Sequence, residues 1–313
     1  MEEIITIVVP VYNREVLLER TLHSIVEQTY RPLRFMLVDN NSKDRSLTIC
    51  YQFQAEYSRE DFRIDVLQEL KPGANAARNR GLREVVSDWV MFFDSDDELV
   101  PGAISRIVRT ISRYPQAEII GFTAKRYLPN GRKANKRRCF TAKVEDQVIY
   151  SMISTQCFIV RTELLRLLGG WNEDLMAWQD WNMGIRILMQ TRRIVWIKRP
   201  VLVKIHEHAK SITGINFVSN SEVHFHTMEI TEKYVDESSL KNKKRVIHYI
   251  HLKMLYLAGM YKYEKNKVLA LNAWNIFLQK ESPSFFKKGI YYLLYRYIGL
   301  GGPGGGTLLR WLF

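Results

Sequence analysis

Cysteine is scarce. Cys50, Cys139 and Cys157 are odd in number, far apart and free of any C-x-x-C pairing, which argues against a disulfide framework or a zinc knuckle. They read as buried or bystander thiols. Long apolar runs are missing too: no stretch approaches the roughly 18–20 uninterrupted apolar residues of a bilayer span. Met1-Glu2-Glu3 is acidic where a signal peptide would be basic, so the expected location is the cytoplasm. There is no G-x-x-x-x-G-K-[ST] pattern, which excludes a P-loop nucleotide triphosphatase. A G-x-G-x-x-G string does occur, from Gly299 to Gly304. It follows a helical pattern rather than a strand, contains Pro303, and leaves no room for a ribose-binding acid, so it reads as a flexible turn before a short apolar tail, 307–313. No internal repeat is present.

What is there is ordinary globular chemistry: 313 residues, 46% hydrophobic and 25% charged, enough for one large or two modest domains. The formal charge of +13 calls for a partner: nucleic acid, an anionic membrane surface or phosphate-bearing substrates. Much of the excess lies in the run 125–138, with Lys125, Arg126, Arg132, Lys133, Lys136 and Arg137. The rest clusters in the last third, with Lys241, Lys243, Lys244, Arg245, Lys287 and Lys288. No nucleic-acid-binding module accompanies these residues, and the run 125–138 reads as an acceptor-side or phosphate-facing loop.

Residues 4–11 are β-branched and apolar, and residues 16–28 carry Leu18, Leu22, Ile25 and Val26 at helical spacing. The alternation continues: strand 35–38, helix 46–57, strand 64–67, helix 74–86, strand 89–93, helix 101–114 with Pro101 as its first residue, and strand 119–122. Such an order predicts an α/β fold with a mostly parallel, Rossmann-like sheet flanked by helices. Beyond 122 the pattern loosens. It shows a turn at 129–131, an apolar stretch 156–160, helices 162–168 and 181–189, and a strand 201–205; from about 222 onward the chain reads as helical. The expected division is a sheet domain 1–217, with a regular half about 1–122 and a looser half about 123–217, followed by a helical region 218–313.

In an open parallel sheet, ligands bind beyond the carboxyl ends of the strands. Three polar clusters fall there: Pro10-Val11-Tyr12-Asn13, Asp39-Asn40-Asn41-Ser42, and Asp94-Ser95-Asp96-Asp97-Glu98. The last packs four carboxylates into five residues, a repulsion that a divalent cation or hydrogen-bond donors must offset. Such oxygen-rich clusters favour hard ions, Mg2+ or Mn2+, with a diphosphate completing the shell. A solvated acidic loop capping the next helix is the weaker alternative. The segment 71–81 joins a strand to a helix and offers small residues, Arg78 and Arg80 near a phosphate; solvated arginines on an ordinary amphipathic helix fit equally well.

Taken in order, Pro10-Val11-Tyr12-Asn13, Val38-Asp39-Asn40-Asn41-Ser42, Ala77-Arg78-Asn79-x-Gly81, Phe93-Asp94-Ser95-Asp96-Asp97 and Gly170-Trp171-Asn172-Glu173-Asp174 to Gln179-Asp180-Trp181 resemble family 2 glycosyltransferases of the GT-A fold, over residues 4–213. The resemblance implies an inverting enzyme using a nucleotide-diphospho-sugar, UDP first, and a hydroxyl of a glycan or lipid-linked acceptor, as in bacterial surface polysaccharide synthesis. It implies that Pro10, Tyr12, Asp39 and Asn40 hold the nucleoside and that Arg78 and Asp94 lie at the diphosphate. Asp94 and Asp96 would be the metal-binding D-x-D, and Asp180 the catalytic base. His208, with Ser211 and Thr213, resembles a late segment that closes over the diphosphate and supplies a further metal ligand, although His206 competes for that role. His224 and His226, two apart on a helical stretch, point away from each other and are assigned no metal.

Two positions depart from the family pattern: Asn40 stands where a second acid is usual, and Gln179 precedes Asp180 in place of a glutamate. Asn40 loosens the choice of nucleobase. Gln179 lends slight support to an alternative, a non-catalytic nucleotide-sugar or glycan-binding subunit of the same fold. A nucleotidyltransferase is more distant, because it should carry a Gly-rich phosphate loop near its start. In the last third, 283–297 mixes Phe285, Phe286, Tyr291, Tyr292 and Tyr295 with Lys287, Lys288 and Arg296. This fits peripheral attachment to an anionic inner membrane surface, or equally packing on the catalytic domain or on a second subunit of a homo-oligomer.

Overall fold

The structure is a computed structural model, and it describes residues 5–128, 130, 132–135, 140–208 and 217–313. Ile4, the Met1-Glu2-Glu3 start, Cys139, much of the basic run from Lys136 to Arg138, and Ser211 and Thr213 therefore lie outside the described residues. Contacts divide the chain into two compact units. One holds 1–142, 153–174 and 186–208; the other holds 143–152, 175–185 and 209–313. The contacts thus do not follow a single cut at 217: two short earlier segments are built into the helical unit.

The first unit opens with β1 (Ile5–Val11), α1 (Leu18–Val26), β2 (Leu33–Asp39), α2 (Ser46–Tyr57), β3 (Phe62–Gln68), α3 (Ala74–Glu84) and β4 (Trp89–Phe92). It continues through β5 (Glu98–Leu99), α4 (Ala103–Arg113), β6 (Ile119–Phe122), β7 (Ala124–Tyr127) and β8 (Lys133–Asn135). The second unit contributes α5 (Val144–Tyr150) before the chain returns for β9 (Phe158–Arg161) and α6 (Thr162–Leu167). Helix α7 (Gln179–Gln190) begins in the second unit and ends in the first, which closes with β10 (Ile194–Ile197) and β11 (Val203–His206).

The main sheet has seven strands in the order β10-β6-β9-β4-β1-β2-β3, parallel except for β9, which runs against both its neighbours. Its central strands are continuous apolar runs because both faces are covered. Ile5, Ile7, Val9 and Val11 join the core that contains Leu18, Leu22 and Ile25 of α1 and Ile104, Ile107 and Ile111 of α4. Val8 meets α3 on the opposite face, where Gly81 allows a close approach. A smaller sheet, β5-β11-β7-β8, carries the two-residue strand β5, which begins with Glu98, the last residue of the acidic cluster.

Several sequence expectations are corrected. Helix α4 begins at Ala103, not Pro101: Gly102 takes a left-handed φ of 73° as the residue before the helix, and Pro101 sits in the preceding turn. The basic run at Lys125 and Arg126 is strand β7, and Lys133 opens β8, so the described part is a hairpin-like pair and not a loop. Strand β10, an apolar Ile-Val-Trp-Ile run, escaped the sequence reading because it follows α7 with hardly any turn signal. The apolar tail after Gly304 is itself helical.

The second unit is a helical assembly: α8 (Ser221–Glu237), α9 (Lys243–Tyr263), α10 (Lys267–Glu281), α11 (Phe285–Gly299) and α12 (Gly305–Leu312), with α5 and the start of α7. Asp146 on α5 is bonded by Arg310 Nε of α12 at 2.5 Å, and Lys253 of α9 donates to the Ile149 carbonyl. A polar network crosses three helices. His248 Nδ1 lies 2.7 Å and His251 Nδ1 2.5 Å from Glu281, His251 Nε2 lies 3.2 Å from Glu232, and Lys280 donates to both Glu232 oxygens. Burial alone would raise the Glu281 carboxyl, but hydrogen bonds and charge from the two histidines pull it down to about 2. Burial likewise opposes the His251 charge, and the two glutamates overcome it and raise that imidazole above its ordinary value.

A depressed carboxylate stabilises the fold above its unfolded value and loses that contribution as pH falls toward its folded one. A raised imidazolium stabilises below its unfolded value and loses it as pH rises through the folded one. The helical unit should therefore be most stable between the two ordinary values, 4.5 and 6.5. The Glu281 contribution is on the order of 3 kcal/mol. Melting temperature against pH checks this: the chain should lose stability above pH 6.5, and H251Q should be less stable at pH 5.5 with a flatter alkaline limb. A wild-type profile that is level from pH 5 to 9 would contradict it.

Candidate active site

Register brings the polar clusters to one edge of the main sheet. Val11 at the end of β1 pairs with Asp39 at the end of β2, and β1 also pairs with β4, which leads into Asp94. The Asn40 N–H donates to the Val11 carbonyl, and the Phe93 N–H to that of Val8. Strand order turns here, with β2 on one side of β1 and β4 on the other, the position at which open α/β sheets bind ligands.

The loops after β1 and β2 are stitched together. Asn13, at a positive φ of 51°, receives the Lys43 N–H on Oδ1 at 2.8 Å and donates its own N–H to Ser42 Oγ at 3.1 Å. Asp44 accepts from the N–H groups of Glu15 and Ser46, so Asn41-Ser42-Lys43-Asp44 is largely turn chemistry. Tyr12, directly after β1, is exposed. Pro10 is the partly covered residue just before the end of β1.

Asp39 is only 1% exposed. Its Oδ2 accepts the Ser42 N–H at 3.2 Å, while its Oδ1 is buried without a hydrogen-bond partner. An unfilled carboxylate oxygen at the end of a central strand costs free energy until a donor arrives.

Asn40 serves its own chain. Its amide nitrogen donates to the carbonyls of Glu69 and Lys71, at 2.9 and 2.7 Å, and its oxygen accepts the Gly73 N–H at 2.7 Å. One side chain thus fixes the loop between β3 and α3. An acid could not make the two donations, which is the physical reason for an amide here.

Arg78 is buried, not solvated. Its guanidinium lies 4.7 Å over the Trp171 ring, donates to Asn75 Oδ1 at 2.9 Å, and pairs with Asp94 Oδ1 at 3.1 Å. Arg80 faces outward and pairs with Glu84. Asn79, one residue after Arg78, donates to the Trp171 carbonyl and to Glu173, and accepts the Trp171 N–H. Gly170 makes this possible: at φ 74° its Cβ would lie 2.5 Å from Asn79 Oδ1. Asn75, Asn79 and Trp171 had no assigned role in the sequence reading. The available signal was two asparagines four apart on α3, on a helix face that turns out to be buried.

The four carboxylates at 94–98 go to four different environments. Asp94 faces Arg78. Asp96 Oδ2 lies 2.8 Å from His208 Nε2 and 3.5 Å from Arg14. Asp97 is buried and accepts from Gln156 Nε2 at 2.7 Å and from the His206 N–H at 2.9 Å. Burial, then the charges of Asp94 and Asp96, hold its carboxyl well above the ordinary range. Glu98 binds Lys204 Nζ at 2.9 Å and His206 Nε2 at 2.7 Å, with Arg20 at 3.4 Å. Burial pushes Glu98 up, but Lys204, His206 and Arg20 outweigh it and its carboxyl is lowered. His206 also stacks on Tyr127 and belongs to Glu98, which leaves His208 as the imidazole at Asp96.

Among the described residues no three His, Cys, Asp or Glu side chains form a closed metal cage. The donor set nevertheless fits a hard divalent ion of the kind held by one or two carboxylates and completed by substrate phosphates: Asp94 and Asp96, two apart, with the His208 ring on Asp96. Asp180 is carried by the second unit, in the first turn of α7, where it is partly exposed and its Oδ1 accepts the Trp181 N–H at 2.8 Å. The neighbouring Trp181 is buried and donates to the Val148 carbonyl, which anchors that turn. His224 stacks on Trp178 and is driven down to about 4 by burial and by Lys253, in keeping with a packed ring.

Comparison with known proteins now gives the class. Residues 6–169, more than half of the chain, match the model of glycosyl transferase family 2, and the chain belongs to that family. It is 33% identical over 105 residues to the GalNAc(5)-diNAcBac-PP-undecaprenol β-1,3-glucosyltransferase of Campylobacter jejuni, covering 34% of this chain and 33% of that protein. Across the first three curated relatives the matched segment spans between 16% and 39% of the relative's length. The fold is GT-A. Residues 1–349 of S. aureus TarS in complex with UDP-GlcNAc superpose with a TM-score of 0.71 at 18% identity, covering 97% of this chain and 90% of that one. The mannosyltransferase PcManGT of Pyrobaculum calidifontis, in complex with GDP-Man and Mn2+, does so at 0.60 and 18%, covering 98% and 84%.

Asn40 provides a direct check on the site's architecture. Asn40→Asp removes two donations to partly buried carbonyls and sets a carboxylate against them, at a cost of about 1–3 kcal/mol. Urea denaturation of the variant should show a lower midpoint with an unchanged slope. A midpoint equal to wild type would mean that the amide does not hold the β3–α3 loop.

Proposed function

We propose that this protein transfers a sugar, with inversion, from a nucleotide diphosphate, UDP first, to a hydroxyl of a glycan or lipid-linked acceptor. The observation that carries the reading is the unfilled Oδ1 of buried Asp39 at the carboxyl end of β2. It is an acceptor suited to a nucleobase N–H, with exposed Tyr12 directly after Val11, the register partner of Asp39, to cover the ring, and Pro10 in β1 one residue before that partner. The amide of Asn40 acts one step removed, by shaping the loop beside the base. Arg78, held rigid by Trp171 and Asn75, offers its charge to the diphosphate from beside Asp94. Asp94, Asp96 and His208 would hold Mn2+ or Mg2+, which when bound supplies Lewis-acid stabilisation of the diphosphate.

Asp180 is the base in this reading. It takes the proton of the acceptor hydroxyl as that oxygen bonds to the anomeric carbon. The bond from that carbon to the diphosphate oxygen breaks on the opposite face, and its electron pair leaves with the nucleotide diphosphate. One in-line displacement inverts the anomeric centre. The undecaprenol-diphosphate acceptor named for the Campylobacter jejuni relative and the UDP-GlcNAc of the TarS complex support a UDP-sugar and a lipid-linked glycan as the first substrates to try. The buried thiols Cys50 and Cys157 agree with action in the cytoplasm.

Asp180→Asn tests the assignment. With radiolabelled UDP-sugars and a bacterial lipid extract, product formation should fall about 10²–10⁴-fold, while UDP still raises the melting temperature as in wild type. Equal product from both proteins would remove Asp180 from the role of base.

A further inference from the structure

Helix α11 is apolar on two sides. Tyr291, Leu294 and Ile298, three and four apart, form its buried stripe. Phe286 and Leu293, seven apart, and Leu300 just past the helix end fall on the other side and are exposed, with Phe286 77% open. Phe285 at the start of the helix is 96% exposed, and Trp311 of α12 is 85% exposed. Aromatic and leucine side chains of this size, left exposed on two consecutive helices, mark an interaction surface.

Charge identifies the partner. From Ser282 to Phe313 the chain contains no aspartate or glutamate, and it contains Lys287, Lys288, Arg296 and Arg310. Arg310 is engaged by Asp146. Lys287 and Lys288 are exposed in the first turn of α11, directly after Phe285 and Phe286, and neither has an acidic partner among the described residues. Arg296, also exposed, bonds only weakly to Tyr292. Bulky apolar residues interleaved with cations in an acid-free segment match a surface that is anionic outside and hydrocarbon just beneath. Among the described residues no helix is long and apolar enough to cross a membrane, so the contact is with the surface.

We propose that α11 and α12 form a docking surface for anionic lipid bilayers, with Phe285, Phe286, Leu293 and Trp311 entering the headgroup boundary and Lys287 and Lys288 pairing with lipid phosphates. The surface works independently of sugar transfer. Its source of phosphate is the bilayer and not a free anion.

Flotation of the full chain with phosphatidylglycerol–phosphatidylethanolamine vesicles tests it, against phosphatidylcholine vesicles and against inorganic phosphate as competitor. The wild-type chain should float with the anionic vesicles and stay behind with the neutral ones, with no competition from millimolar phosphate. The combined F285S, F286S, L293S and W311S variant should lose at least tenfold of the bound fraction, as should K287E with K288E. Circular dichroism and melting temperature should be unchanged in both, since the replaced groups are exposed. A wild-type chain that remains at the bottom, or a serine variant that floats as well as wild type, would overturn the proposal. So would a dimer in sedimentation that the serine variant abolishes without any flotation of the wild type, which would assign the face to a second copy.

Discussion

Four carboxylates within five residues cannot share a small volume as free anions, and the way this chain separates them organises the first unit. Asp94 is matched by Arg78 from α3, Asp96 by His208 and Arg14, Asp97 by Gln156 and the backbone of β11, and Glu98 by Lys204, His206 and Arg20. The partners come from several parts of the unit, with His206 serving both Asp97 and Glu98, so holding the acids apart also holds α1, α3 and β11 together. The two-residue strand β5 exists because Glu98 and Leu99 must pair with Lys204 and Val203 to make this arrangement. Asp97 is the internal member, and its raised proton affinity reflects burial first and its two acidic neighbours second. Asp94 and Asp96 flank buried Ser95, and their side chains are partly exposed.

That division of labour is only half visible in sequence. The alternation of strands and helices through Phe122 was legible because parallel strands buried on both faces write themselves as β-branched runs, and the helices between them as apolar stripes. The grouping of Tyr12, Asp39 and Asp94 on one edge followed from strand order alone. What sequence could not show was which polar group answers which. Asn40 looked like a base reader and is committed to three backbone groups of the β3–α3 loop. Arg78 looked as easily solvated as bound, and its burial depends on Trp171, more than ninety positions later, and on the left-handed Gly170 that lets Asn79 close beneath it. Partners that far apart leave no periodicity to read.

The second unit illustrates the same limit differently. A helical reading from about 222 was correct in kind, yet segments 143–152 and 175–185 join those helices because Asp146, Ile149 and Val148 supply bonds to Arg310, Lys253 and Trp181. Asp180 therefore sits on a helix whose first turn is anchored in the helical unit while its last residues belong to the sheet.

The proposed activity requires the sheet edge at Asp39 and Asp94 to bind a nucleotide diphosphate. Thermal unfolding with UDP, GDP, dTDP and CMP, each with and without manganese, measures this most directly, because a ligand at a hundred times its dissociation constant adds about 3 kcal/mol to the native state. A rise of several degrees is expected with UDP, growing when manganese is added, and little with CMP. No rise with any of the four, in protein shown by circular dichroism to be folded, would contradict it.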